Sequence, residues 1–252
     1  MTPRGEGERT VVILYHKPPN LVTSHSSFDA APASSGEQSR RTVYDDVLTL
    51  DGFVGDKKES FAEVTGIKSK LHAIGRLDAD TSGLLLMTND GGLVHHVTNP
   101  ASSGSEECIT KTYEAVIMGK YFANSTEFQL IREKGVDIGE KYGGMTMPAK
   151  DLEVLGYPTA KSTLVSITIA EGKNRQVRRM FHGIKSGVMR LKRTRIGAAL
   201  SLDGLAEGEW RILTDNECEE SLGWKPRRIA VAPSRPKEAR RRQNPARRRK
   251  TQ

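Results

Sequence analysis

The sequence has 252 residues, of which 36% are hydrophobic and 28% are charged, and this balance suits one large globular domain or two small ones. The longest apolar run, LLLM at residues 84–87, is far shorter than the roughly 18 residues that cross a bilayer, so no membrane segment is predicted. The net charge of +8 resides in residues 225–252, which contain twelve Lys or Arg and one acid, whereas residues 1–224 hold 27 basic and 30 acidic side chains.

Cysteine and histidine usage indicates no metal site. Cys108 and Cys218 have no nearby cysteine partner and are predicted to be reduced thiols. The only adjacent histidines are His95 and His96, and adjacent residues on a helix point in different directions. Residues 1–9 lack the apolar core of a signal peptide and contain two glutamates, which favours a cytosolic or nuclear address and leaves an organelle open.

The predicted elements begin with a β-branched strand at residues 10–15, which a proline turn closes. Residues 27–41 are small and polar, which predicts a mobile loop, and a short helix is expected at 43–48. A buried strand follows at 84–88. Residues 89–99 are then predicted to form a turn and a short helix that ends before a proline.

The central elements alternate between strand and helix patterns. Residues 111–118 alternate as a strand, and a capping box at 124–127 is predicted to open a helix that ends at Gly135. Residues 162–170 form the clearest strand. The period then becomes helical, because four apolar residues recur at i, i+3, i+4 and i+7. They are Val177, Met180, Phe181 and Ile184.

The last predicted elements are strands at 188–196 and 210–213 and a capped helix at 214–223. Strands and short helices are interleaved, and no Rossmann glycine fingerprint is present. This order favours an α+β sheet fold over a doubly wound parallel sheet. The prolines and arginines of residues 225–252 predict a disordered tail, which could be an inert terminus, a phosphate-binding arm or a nuclear address.

Two segments contain candidate functional residues. Asp78 and Asp80 follow a glycine turn and precede the strand at 84–88, so they are either a glycosidase-type carboxylate pair or two turn residues that cap backbone amides. Residues 173–195 contain nine basic side chains and no acid. Like charges on a helix repel each other unless phosphates or carboxylates meet them, which favours contact with an RNA backbone over a solvated face.

These segments carry a resemblance to a known family. The sequence IGRLDADTSGLLLMTNDG at 74–91 resembles the catalytic motif of bacterial ribosomal RNA pseudouridine synthases, both of type A, which acts on the small ribosomal subunit, and of types B, E and F, which act on the large one. Four further matches occur in the same order as in that family: KP at 17–18, KTY at 111–113, EGKNRQVRRM at 171–180 and LKRTRIG at 191–197. The segment at 174–180 is most similar to type E.

The resemblance implies a pseudouridine synthase fold, with a mixed and mainly antiparallel sheet in two halves, short flanking helices and an active-site cleft between the halves. It implies that Asp78 is the catalytic aspartate, that Tyr113 stacks on the target uracil, and that Arg178 pairs with Asp78. Arg76 is the candidate for filling the gap left by the extruded base. RNA contacts are expected from the basic segment, namely from Lys173, Arg175, Arg179 and Arg193. Asp80 is not part of the family's pattern and is expected to be a turn residue.

The implied activity is isomerisation of uridine in RNA, with ribosomal RNA as the expected partner. Uracil is detached, rotated and rejoined through carbon, so neither a metal nor any other cofactor is expected. The expected organisation is a disordered segment at 1–9, a catalytic domain at 10–224 and the tail, in a monomeric protein that does not bind membranes. The alternatives are a catalytically inactive RNA-binding or ribosome-assembly relative and a glycoside hydrolase.

The chain departs from the family's pattern in three ways. The extra N-terminal RNA-binding module of types A, B and F is not expected, because the first catalytic strand begins at residue 10. The loop at 27–41 is longer than usual, and the basic tail is not a family feature. We infer that the tail replaces the module as an RNA anchor.

Overall fold

The structure is a computed structural model and describes residues 8–24, 41–47, 51–54, 57–60, 65–67, 70–99 and 109–229. Residues 27–40 of the predicted loop, Cys108 and the tail beyond residue 229 lie outside the described residues. In chain order, the strands are β1 Glu8–Arg9, β2 Val12–Lys17, β3 Asp51–Val54, β4 Lys57–Ser60, β5 His72–Ile74, β6 Ser82–Thr88, β7 Lys111–Met118, β8 Asp151–Thr159, β9 Ser162–Ile169, β10 Val188–Ile196, β11 Leu200–Ser201, β12 Trp210–Ile212 and β13 Arg228–Ile229. The helices are α1 Val43–Val47, α2 Gly91–Thr98, α3 Thr126–Glu133, α4 Gln176–Gly183 and α5 Asp215–Leu222.

In the part of the chain that the structure describes, nine strands form one mixed sheet. Its order is β12–β2–β6–β10–β7–β9–β8, with β5 paired to β6 and β11 paired to β10. Within this sheet only the pairing of β6 with β10 is parallel, and it joins Lys192 and Arg193 to Ser82 and Gly83. Two antiparallel halves therefore meet at this pair, and the predicted α+β fold with a mainly antiparallel sheet is confirmed.

The junction between the two halves depends on Gly83. Gly83 has a φ of +110°, and a Cβ atom at this position would lie 2.2 Å from the carbonyl oxygen of Arg193. Only glycine allows the two backbones to approach so closely. The start of β6, and with it the loop between β5 and β6, is therefore held directly beside β10.

The two halves of the sheet are buried differently. In β2 and β6, alternate residues such as Ile13 and Leu85 face one apolar cluster, whereas Leu14 and Leu86 face a second cluster on the other side. Burial on both faces explains why these strands are continuously apolar. β9 buries one face only, so its apolar residues alternate with Ser and Thr, as the sequence predicted.

The helices follow the predicted apolar patterns, with one correction at a helix terminus. All four apolar residues predicted on the face of α4 are buried, and α5 begins with a complete capping box between Thr214 and Glu217. The capping box predicted for α3 is wrong. Ser125 is the N-cap residue and makes no side-chain capping bond, because its hydroxyl accepts a hydrogen bond from the Phe122 amide instead.

The ordered body extends past both predicted domain boundaries. β1 pairs with β13, and the amide of Thr10 donates to the carbonyl oxygen of Arg227 at 2.7 Å. Residues 8–9 and 225–229, which were assigned to disordered termini, thus belong to the folded part. No helix among the described residues is both long and apolar enough to cross a membrane, and no cluster of three or more potential metal ligands occurs among them.

Candidate active site

A cavity of about 270 Å³ lies beside the junction of the two sheet halves. Its wall combines the loop between β5 and β6, the first residues of β7, the last residues of β9 and β10, and the segment that leads into α4. Six of the eight site residues predicted from the sequence line it. They are Arg76, Asp78, Tyr113, Lys173, Arg175 and Arg193.

The loop that carries Asp78 is held by the last residue of β2 and by the segment that follows this strand. The ammonium group of Lys17 donates to the carbonyl oxygens of Ala79 and Thr81 at 3.2 and 2.8 Å, and the amide of Asn20 donates to Ala79 at 2.7 Å. The amide of Thr81 closes a turn by donating to the carbonyl oxygen of Asp78 at 3.0 Å. The backbone of the loop is therefore fixed, while the Asp78 side chain remains 32% exposed.

Lys17 is completely buried, which is unusual for a lysine. Burial lowers the pKa of its ammonium group to about 8, and the nearby carboxylates of Asp80 and Asp78 oppose this shift. The sequence marked Lys17 only as part of a family motif and not as a site residue. Its position at the end of a strand that begins with the apolar run Val12–Leu14 was the signal that could have identified it.

The arginine that contacts Asp78 is Arg175, and not the predicted Arg178. The Nη1 atom of Arg175 lies 3.1 Å from Oδ2 of Asp78. Arg178 places its Nη2 atom 3.2 Å from Oδ2 of Asp80 and 3.0 Å from the Asp80 carbonyl oxygen, and its Nη1 atom donates to Val188. Asp80 is thus more than the expected turn residue, because it binds both Arg175 and Arg178.

A backbone feature explains why Arg175 turns toward the loop. Arg175 is the N-cap of α4 and has left-handed backbone angles, φ 49° and ψ 35°, so it lies outside the helix on which the sequence placed it. The prediction that Arg175, Arg178 and Arg179 share one helix surface is therefore wrong for Arg175. Two of its arginines are met by carboxylates of the protein itself, which removes part of the like-charge repulsion that had favoured an RNA backbone.

The remaining predicted RNA contacts have different surroundings. Lys173 donates to the carbonyl oxygens of Gly143 and Met145 and lies 3.4 Å from Glu171, so it holds a neighbouring loop. Arg179 is half-buried, stacks its guanidinium on the Tyr142 ring and donates to Asn174. Arg193 is only 3% exposed, which corrects its assignment to an RNA-facing surface.

Tyr113 and Arg76 both line the cavity, but they differ in solvent exposure. Tyr113 is 9% exposed and extends from the buried face of β7, whereas Arg76 is exposed and lies two residues before Asp78. A buried aromatic ring and an exposed cation in one cavity suit a base that leaves its stack and enters a pocket.

Two carboxylates line the cavity, but their surroundings differ. Glu171 accepts hydrogen bonds from the Met147 amide and the Gln176 side chain, and it pairs with Lys173. Asp78 is contacted by Arg175 alone among the described ion pairs. A glycosidase would need a second carboxylate free to activate water, and the other candidate, Asp80, is bound by two arginines.

The fold and the cavity together define a class of protein. The class has a mainly antiparallel sheet in two halves, with one accessible carboxylate and one aromatic ring in the cavity at their junction. A family model described as RNA pseudouridylate synthase matches residues 11–183, which is more than half of the chain. The chain therefore belongs to the RNA pseudouridylate synthase family.

Individual relatives agree with this assignment. The chain is 42% identical over 154 residues to ribosomal large subunit pseudouridine synthase B of Bacillus subtilis, with 60% of this chain covered. It is 35% identical over 206 residues to ribosomal small subunit pseudouridine synthase A of Vibrio cholerae, which covers 81% of this chain and 71% of that relative. The match spans only 57% of the length of the Bacillus relative.

Among solved structures, a crystal structure of a pseudouridylate synthase is similar with a TM-score of 0.61 and 29% identity. The similarity covers 84% of this chain and 74% of that chain. The predicted pseudouridine synthase fold is thus confirmed. The relatives reported above are of types A and B, and the stronger likeness to type E stays a prediction.

Proposed function

We propose that this protein is an RNA pseudouridine synthase that isomerises a uridine of ribosomal RNA, with Asp78 as the catalytic carboxylate. The observation that supports this proposal best is the position of Asp78. Its side chain is accessible on a loop whose backbone is fixed by Lys17 and Asn20, and it lines the same cavity as Tyr113. Ribosomal RNA is proposed because the relatives are named after the two parts of the ribosome.

In the proposed reaction, Asp78 acts at the ring or the sugar of a uridine while the glycosidic bond breaks, and Tyr113 stacks on the base. Arg175 places its Nη1 atom 3.1 Å from Oδ2 of Asp78 and thereby holds this carboxylate at the cavity wall. One carboxylate suffices, because the detached uracil stays bound and is recaptured through its C5 atom. The proposed reaction therefore needs no cofactor. The relatives are bacterial, which favours the cytoplasm over a nucleus.

The experiment that tests the proposal compares the unaltered protein with Asp78→Asn. Small- and large-subunit ribosomal RNA transcribed in vitro is incubated with each protein, and pseudouridine is mapped by chemical labelling and reverse transcription. Asp78→Asn is expected to abolish pseudouridine formation with little change in RNA affinity. Asp203→Asn, which alters an exposed aspartate outside the cavity wall, serves as the matched control and should form pseudouridine normally.

Two results would contradict this function. Formation of pseudouridine by Asp78→Asn would show that Asp78 is not the essential carboxylate. RNA binding by the unaltered protein without any pseudouridine, both in vitro and in a transcriptome-wide map of cells with and without the protein, would favour the catalytically inactive RNA-binding relative.

A further inference from the structure

Arg193 is a buried cation that has no role in the reaction proposed above. Its side chain is 3% exposed, and its Nε atom donates to the carbonyl oxygen of Leu84 at 2.7 Å. Its Nη2 atom is buried and has no hydrogen-bond partner among the described residues. No carboxylate of the described residues forms an ion pair with this guanidinium.

The position of Arg193 places it next to the proposed base platform. Arg193 pairs with Tyr113 in the register of β10 and β7, so the two side chains project from the same face of the sheet as direct cross-strand neighbours. Both residues line the cavity together with Asp78. The close approach at Gly83 fixes the backbone of Arg193 in this place.

A buried guanidinium with a free donor is costly for a protein. Desolvating a charge that has no ion-pair partner destabilises the fold, and such groups persist mainly where they serve a function. A surface phosphate of RNA is an unsuitable partner, because Arg193 is almost completely shielded from solvent. A flat base that stacked on Tyr113 inside the cavity would bring its carbonyl oxygens near Arg193, because Tyr113 and Arg193 are cross-strand neighbours.

We propose that Arg193 donates a hydrogen bond from Nη2 to a carbonyl oxygen of the target uracil and stabilises the negative charge that develops on the ring. This inference rests on the proposed function. The overall reaction breaks the C1′–N1 bond and forms the C1′–C5 bond, while N1 gains a proton and C5 loses one, so no oxidant or reductant is needed.

The charge argument holds for every route open to Asp78. If the carboxylate attacks C6, a bond forms between its oxygen and C6, the π pair of the C5=C6 double bond shifts to C4–C5, and the C4=O4 π pair moves onto O4. If it attacks C1′ or removes a proton from C2′, the pair of the C1′–N1 bond leaves on the uracil and spreads over O2 and O4. A fixed donor aimed at such an oxygen typically lowers the barrier enough to raise the rate about 100-fold to 1,000-fold.

The test combines a protein variant with a sulfur-substituted substrate. Ribosomal RNA is transcribed with uridine, 2-thiouridine or 4-thiouridine, and product nucleosides are quantified by mass spectrometry in single-turnover time courses. Arg193→Met is expected to lower the rate on normal RNA by about 100-fold. One of the two substitutions, 2-thiouridine or 4-thiouridine, should clearly slow the reaction of the unaltered protein. The same substitution should slow Arg193→Met less than about threefold, because this variant has already lost the contact with that uracil oxygen.

Arg132→Met is the matched control. Arg132 also donates from its guanidinium to a strand carbonyl oxygen, that of Leu152, but it does not line the cavity. This variant should keep the full thio effect and a near-normal rate. If Arg193→Met does not fold, Arg193→Gln replaces it in the comparison, because its amide still reaches toward Leu84 without a positive charge.

The outcomes separate this inference from the function on which it rests. If the unaltered protein forms pseudouridine and both thio effects are as large in the Arg193 variant as in the unaltered protein, the inference is overturned and the function stands. A normal rate in the folded Arg193 variant would also overturn it. If the unaltered protein forms no pseudouridine, the proposed function itself fails.

Discussion

Replacement of Lys17 by methionine should affect both the stability of the protein and the placement of Asp78. The Lys17 ammonium group donates to the carbonyl oxygens of Pro18, Ala79 and Thr81 and is completely buried. Each buried carbonyl left without a donor costs about 1–3 kcal/mol, and removal of a desolvated charge offsets part of this cost. We expect Lys17→Met to lose about 2 kcal/mol of unfolding free energy at pH 7. The kcat of Lys17→Met should fall about 100-fold, because a displacement of Asp78 by about 1 Å is enough to slow the reaction to this extent.

The same lysine predicts a dependence of stability on alkaline pH. The folded protein releases the Lys17 proton near pH 8, whereas the unfolded chain keeps it until about 10.5. Between these values the unfolded state binds more protons, so the unfolding free energy rises with pH by about 1.4 kcal/mol per unit. Between pH 8 and pH 10.5 the unfolding free energy of the unaltered protein should rise by about 3 kcal/mol relative to that of Lys17→Met.

Urea denaturation at pH 7, 8, 9 and 10 measures this difference. Lys150→Met, which alters an exposed lysine, should change with pH in parallel with the unaltered protein. A constant difference between the unaltered protein and Lys17→Met from pH 7 to pH 10 would refute the reasoning. Unchanged pseudouridine formation by Lys17→Met would refute its role in holding the loop.

Three further changes have defined expectations. Tyr113→Phe should keep kcat/KM within about tenfold of the unaltered protein, because the stacking ring remains. Tyr113→Ala should lose about 1–3 kcal/mol of binding free energy for the base. Equal losses in the two variants would contradict stacking. Glu217→Gln should destabilise the protein by about 1–2 kcal/mol at pH 7 after allowance for solvent screening. The Arg211 guanidinium lowers the pKa of Glu217 to about 2, so the stability that this carboxylate contributes is present above pH 4.5 and is lost as the pH falls toward 2. Identical acid denaturation of the unaltered protein and Glu217→Gln would contradict this prediction. Deletion of residues 230–252, which contain nine Lys or Arg and one acid, should weaken RNA binding regardless of sequence and reduce its salt dependence; an unchanged salt slope would support an inert tail or a nuclear address.

The elements that the sequence predicted well are those whose apolar period is strong. β7 and β10 have the predicted bounds, and the four apolar residues predicted on one helix face are all buried, although Ile184 is the C-cap that follows α4. β8 escaped prediction because it lies at the edge of the sheet, exposes Leu155 and Tyr157, and contains a glycine and a proline. An edge strand packs on fewer neighbours, so its sequence is less constrained and its pattern is weak.

The residues of the site were largely predictable, but their pairing was not. The family resemblance supplied Asp78 and Tyr113, and the structure brings both to one cavity. The ion pairs depend on the left-handed backbone at Arg175, a conformation that the sequence pattern of an amphipathic helix gave no reason to expect. Lys17 was overlooked for a similar reason, because burial of a lysine depends on tertiary contacts with a loop that is distant in sequence, such as its bond to Thr81, 64 positions away.

The arrangement of the two aspartates explains how one carboxylate remains available in a strongly basic site. Asp80 is bound by Arg175 and Arg178, and it thereby anchors the start of α4 against the loop between β5 and β6. Among the ion pairs of the described residues, Asp78 contacts Arg175 alone, and its side chain stays accessible. Asp80 therefore contributes to the site by binding Arg178, the second of the two arginines.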